Sequence, residues 1–183
     1  MTKDIIKCSS NKLEEILMPK LKGNVFHVTS KSNFKGILKK NQIKNNKKYD
    51  FAFTFGQSKN SYGRKRGYVC LFDLRFATEE QIVESFYKYY FLNPDHVNNN
   101  PIFLIISEDL YPSLISWEKA KNECNVKEMY IPYIECWYPG DISVDKIKEV
   151  IEVEVNEDIN NDGTWASMIR LANNNGGSLG SVS

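Results

Sequence analysis

No Cys-x-x-Cys pair, no glycine-rich phosphate loop and no long apolar run occurs in this 183-residue chain, and each absence removes a class of protein. The four cysteines, Cys8, Cys70, Cys124 and Cys136, are scattered, and Cys70 and Cys136 lie in apolar stretches. A zinc site has no support in that spacing; free, buried thiols in a reducing cytoplasm are the expectation, with no metal. Neither Gly-x-Gly-x-x-Gly nor a P-loop is present, so dinucleotide-fold and NTPase readings fall away. The longest apolar candidate, Ile102–Ile106, is far below the ~18 residues of a membrane span. The opening MTKDIIKCSS lacks the apolar region of a signal peptide, which leads to a cytoplasmic expectation.

What is present describes a folded chain. A content of 42% hydrophobic and 13% aromatic residues supports one globular domain with a sizeable core. The net charge of +1 hides a lopsided distribution. Between Lys31 and Arg66 eleven Lys/Arg face a single acid, Asp50, whereas Glu135 to Asp162 holds nine acids against Lys146 and Lys148. The basic segment suits phosphates, of a dinucleotide or a nucleic acid, or is simply a solvated surface.

Periodicity supplies the elements. Asn11–Glu14 reads as a capping box opening a helix that should stop before Pro19. Val25–Thr29 alternates as a strand, and a helix over 32–40 follows, with Ser30 or Ser32 as its cap and Asn41 as its left-handed end. Phe51–Phe55 and Tyr68–Leu74 read as strands around a polar, basic loop, Gly56–Gly67. Thr78–Gln81 is a second capping box, starting a helix with Ile82 and Phe86 on its apolar face. After an Asn-rich loop over 93–101, Ile102–Ile106 reads as a central strand. A helix near Ser113–Cys124, a strand Tyr130–Trp137, a turn at Pro139–Asp141 and a strand Val150–Val155 complete the series. Residues 1–156 form the expected domain, and 157–183 a polar tail expected to be mobile. Strands outnumber helices, and many neighbours lack a crossover helix. The expected class is therefore α+β, with a split mixed or antiparallel sheet of about six strands flanked by short helices.

Two polar residues interrupt apolar strands. His27 lies opposite Phe26 and Val28 in the alternation of Val25–Thr29. Glu135 interrupts Tyr133–Trp137, where a carboxylate needs solvent, a cation or a function. The segment NVFHVTSKSNFKGILKKNQIKN, with His27, Thr29 and the helix after them, resembles the opening of the ADP-ribosyltransferase superfamily. The segment IPYIECWYPGDISVDKIKEVIEV resembles the end of the DarT-like ADP-ribosyltransferases, in which a glutamate on a strand precedes a turn and a final strand. Asn41 stands where those proteins usually carry glycine, and no arginine follows early after the first helix. Both departures leave the acceptor open.

The resemblance implies an ADP-ribosyltransferase-like domain with NAD+ as substrate and Glu135 as catalytic carboxylate. Cleavage of the nicotinamide–ribose bond passes through an oxocarbenium-like state, which a carboxylate can stabilise while helping to deprotonate the acceptor. It also implies that His27 and Thr29 anchor ribose hydroxyls and the nicotinamide amide. Tyr62 would stack on the nicotinamide, and Arg64 or Arg66 would pair with the pyrophosphate. The implied protein is a mono-ADP-ribosyltransferase of toxin or defence type, with a nucleic acid or protein acceptor and an antitoxin or immunity partner. A non-catalytic nucleotide- or partner-binding module and a tRNA 2'-phosphotransferase-like enzyme are the alternatives. The enzymatic reading expects His27 and Glu135 on neighbouring strands facing one cleft, bordered by Gly56–Gly67. Asp73 and Arg75 are read as a local ion pair.

Overall fold

The computed structural model describes residues 1–9, 12–48, 60–88 and 101–156. The strand expected at Phe51–Phe55, residues 56–59 of the basic loop, most of the Asn-rich loop and the 157–183 tail lie outside these residues.

In chain order the elements are β1 (Thr2–Ser9), α1 (Leu13–Leu21), β2 (Val25–Ser30), α2 (Lys31–Lys40), β3 (Gln42–Ile43), α3 (Tyr62–Arg66), β4 (Tyr68–Asp73) and α4 (Glu79–Lys88). There follow β5 (Pro101–Ile106), a 3-10 segment (Glu108–Ser113), α5 (Trp117–Glu123), β6 (Glu135–Pro139), β7 (Ile142–Ser143), a 3-10 turn (Val144–Lys146) and β8 (Ile147–Asn156). The class is α+β. Six strands form one mixed sheet in the order β1-β8-β5-β2-β4-β6, and β3 and β7 make a separate two-stranded ribbon. Only β1 and β8 run parallel; the other neighbours in the large sheet are antiparallel.

Both faces of the sheet are covered. Phe26, Val28, Phe72, Phe103 and Ile151 meet Leu13, Leu17 and Leu21 of α1 and Ile82 of α4 on one side. Val25, Leu71, Leu104 and Val150 meet Ile37 of α2 and Leu110 on the other. This explains why β5 is buried along its whole length and reads as an unbroken apolar run rather than an alternation.

Local signals hold where side chains close them. Ser30 accepts a hydrogen bond from the Asn33 amide at 3.2 Å, and Asn41 ends α2 in the left-handed region at φ 55°. Thr78 and Gln81 form a reciprocal box, with Thr78 N–H donating to Gln81 Oε1 at 3.0 Å and Gln81 N–H to Thr78 Oγ1 at 3.3 Å. Arg75 clamps Asp73 in a two-bond pair of 2.9 and 2.7 Å. Replacing Ser30 by Ala should destabilise the protein by about 1 kcal/mol, because α2 loses its only observed side-chain cap. A shifted urea midpoint with an unchanged slope would register this, and an unshifted midpoint would count against the cap.

Three expectations are corrected. Helix α1 continues through Pro19 to Leu21. Pro19 forfeits one amide bond, but buried Leu17, Met18 and Leu21 hold the turn, and Asn24 Nδ2 donates to the Lys20 carbonyl at 3.0 Å. Strand β1 has no counterpart in the sequence reading: only Ile6 and Cys8 point inward, while Lys3 and Lys7 pair with Glu152 and Glu154 of β8. Strand β6 begins at Glu135, not Tyr130. Around Pro132 the chain instead makes a tight turn, in which Ile134 N–H donates to the Pro132 carbonyl and Tyr133 adopts φ 69°.

Candidate functional site

Strands β2 and β4 pair over only two positions, Val25 with Asp73 and Phe26 with Phe72. Beyond Phe26, β2 continues along β5 as far as Ser30, while β4 continues along β6 as far as Tyr68. The sheet therefore opens between β2 and β4, and His27 lies at the point of opening. Its Nδ1 is 2.9 Å from the backbone carbonyl of Cys70. A carbonyl oxygen can only accept, so Nδ1 carries the hydrogen and Nε2 is left as the acceptor. Burial pushes the imidazole below its ordinary pKa, which keeps this neutral tautomer.

His27 and Cys70 are both half-buried, although their flanking residues Phe26, Val28, Val69 and Leu71 are buried. Both residues are thus partly accessible where the pairing of β2 and β4 ends. The Cys70 thiol in turn donates to Glu135 Oε1 at 3.1 Å, and the Ile131 amide donates to Glu135 Oε2 at 2.5 Å. Burial and the neighbouring carboxylate hold the thiol protonated, well above its usual pKa, so it acts as a donor.

Glu135 is 5% exposed, and burial raises its pKa to about 7. The hydrogen bonds from Cys70 and Ile131 pull in the opposite direction without overcoming desolvation. Glu152 is equally buried and behaves differently. Lys3 lies 2.9 Å from it and Lys31 also pairs with it, so its pKa is lowered. Among the described residues no cation pairs with Glu135. A buried carboxyl poised near neutrality without a counter-ion is expensive for a structural role and suits proton transfer or charge stabilisation.

The expected residues do not all converge. His27 and Glu135 flank β4 instead of sitting on adjacent strands. Glu135 is in register with Phe72 and, through it, Phe26, whereas His27 is in register with Leu104 and Val150. Paired residues share a face, so the two side chains approach the opening from opposite faces of the sheet. Cys70 connects them, through its carbonyl on one side and its thiol on the other. Thr29 shares the His27 face but is 2% exposed beside Ile102.

Residues 62–66 form helix α3, not loop, and its end at Gly67 has φ 77°. Tyr62 is fully buried. Its ring lies 4.8 Å from that of Trp137, the Arg66 guanidinium covers it at 3.8 Å, and its hydroxyl donates to Glu123 at 2.6 Å. A ring so enclosed presents no face for nicotinamide. Arg66 also donates to the Tyr62 carbonyl and to Glu128, and buried Arg64 donates through Nε to the Asn46 carbonyl at 3.0 Å. In this arrangement Tyr62 and Arg66 build the fold.

Sequence reasoning missed Cys70 and Trp137. Cys70 has no local signal, because its importance arises from the register of three strands. Among the described residues no group of three or more His, Cys, Asp or Glu could hold a metal ion, and no helix is long and apolar enough to cross a membrane. No family model, curated protein or solved structure matches this chain.

Proposed function

We propose that this chain is an NAD+-dependent mono-ADP-ribosyltransferase with an ADP-ribosyltransferase-like fold, working at the opening between β2 and β4. The observation that supports it best is the connection from half-buried His27 through Cys70 to Glu135, a buried carboxyl that no cation pairs with among the described residues. Neutral His27 can accept a ribose hydroxyl at Nε2. Glu135 in its ionised form can stabilise an oxocarbenium-like ribose and draw the proton from an acceptor. Of the residues expected to contact NAD+, Tyr62 and Arg66 are engaged within the fold, and Arg64 is buried with its Nε on the Asn46 carbonyl. The acceptor is proposed as nucleic acid or protein, in keeping with the basic segment from Lys31 to Arg66, and the setting as a cytoplasmic toxin or defence system with a neutralising partner.

A second reading, a non-catalytic nucleotide- or partner-binding module, is favoured by the opposite-face approach of His27 and Glu135. One experiment separates them: incubation of the full chain with adenylate-labelled NAD+ and, separately, DNA, RNA and protein acceptors. Enzymatic function predicts transfer of label to one acceptor, with binding of NAD+ weakened roughly tenfold by His27→Ala, the scale of one lost hydrogen bond to a ligand. Binding of NAD+ without transfer or nicotinamide release would favour the module. Absence of NAD+ binding would defeat the transferase.

A further inference from the structure

We propose that Cys70 is the positioning residue of this site, its thiol orienting the Glu135 carboxyl while its carbonyl fixes the tautomer of His27. The inference rests on the transferase reading for its catalytic meaning, but its structural content is independent. Two contacts carry it: Nδ1 of His27 at 2.9 Å from the Cys70 oxygen, and Oε1 of Glu135 at 3.1 Å from the Cys70 sulfur. The two contacts leave the same residue from different groups, so any movement of β4 at Cys70 displaces both side chains together.

The arrangement divides the labour. The backbone carbonyl survives any substitution at position 70, so His27 keeps its tautomer provided that β4 stays in place. The thiol is specific to the side chain. Without it, Glu135 keeps the Ile131 amide as a donor, but Oε1 loses its bond from the thiol. The free oxygen can then turn away from the line joining the site, and the charged form loses a hydrogen bond that favours it. A hydroxyl at position 70 restores a donor of similar reach.

The test uses Cys70→Ala and Cys70→Ser in the full chain. In each protein the Glu135 side-chain carboxyl is followed by 13C NMR against pH, with Glu135→Gln assigning the resonance. The pH profile of nicotinamide release is measured in parallel. Cys70→Ala should move the Glu135 midpoint upward by about one pH unit, the effect of losing one hydrogen bond to a carboxylate. It should move the inflection in the rate profile equally and lower turnover at pH 7 about fivefold, as the ionised fraction falls. Cys70→Ser should return both midpoints toward the parent values. A purely packing role would lower stability without moving either midpoint, and that result would overturn the proposal. If the parent protein releases no nicotinamide, the transferase reading fails. A shifted Glu135 resonance in Cys70→Ala would still uphold the orienting contact, and an unshifted one would refute it.

Discussion

Replacing Glu135 by Gln is expected to lower turnover by roughly 10²-fold or more while leaving NAD+ binding largely intact, the scale for removing a principal electrostatic or acid–base group. The amide oxygen can still accept from Ile131 N–H, and the amide nitrogen can face the Cys70 sulfur. Folding should therefore survive, and it should improve in alkaline solution. Glu135 titrates near 7 in the folded protein against an ordinary 4.5, so between these values the folded state binds more protons than the unfolded one. Stability from this group is present at acid pH and falls as pH rises from 4.5 to 7; above 7 the buried carboxylate costs about 3 kcal/mol. Glu135→Gln removes that slope. His27 acts in the other direction. Its lowered pKa contributes stability above the ordinary histidine value of 6.5, lost as pH falls below it. Urea unfolding of both proteins from pH 4.5 to pH 8 should show the parent losing stability relative to the variant as pH rises from 4.5 to 7. An active variant with the parent's pH profile would show that another carboxylate does the work.

The second large effect concerns Gly63, which holds no chemistry. A methyl group built there would stand 2.0 Å from Cδ1 and 2.4 Å from Nε1 of Trp137. Trp137 is fully buried against Tyr62 and Ala120, so the indole has nowhere to retreat. Gly63→Ala should destabilise the protein by about 3 kcal/mol, at the upper end of the range for overpacking a core. Adding Trp137→Ala removes all the indole atoms that clash. The double variant should be more stable than the two single losses predict, a coupling that urea midpoints can measure. Additive losses would mean that α3 does not rest on Trp137.

Short-range chemistry was legible where the sequence contains both partners of an interaction. Ser30 and Asn41 bracket α2, Thr78 and Gln81 close their box, and the unbroken apolar run Ile102–Ile106 lies in a strand covered on both faces. Long-range compensation was not legible. Thr2–Ser9 becomes a strand because β8 offers an edge and acids for its lysines, which nothing within those eight residues announces. Tyr130–Ile134 has the composition of a strand, yet Pro132 and the left-handed Tyr133 turn it. The site divides in the same way. His27 and Glu135 were visible as polar residues in apolar company. Cys70 looked like one more small apolar residue until the register placed it between them. Tyr62 and Arg66 suggested an exposed basic loop, and the buried surface of Trp137 instead draws them into a helix.

The opening between β2 and β4 is proposed to receive NAD+. Backbone and side-chain NMR resonances of the full chain, followed as NAD+ is added, test it most directly. Saturable shifts centred on His27, Cys70 and Glu135 are expected, with the affinity read from Cys70 and Glu135 about tenfold weaker in His27→Ala. Saturable shifts confined to other residues, or no shifts at these three at millimolar NAD+, would contradict it.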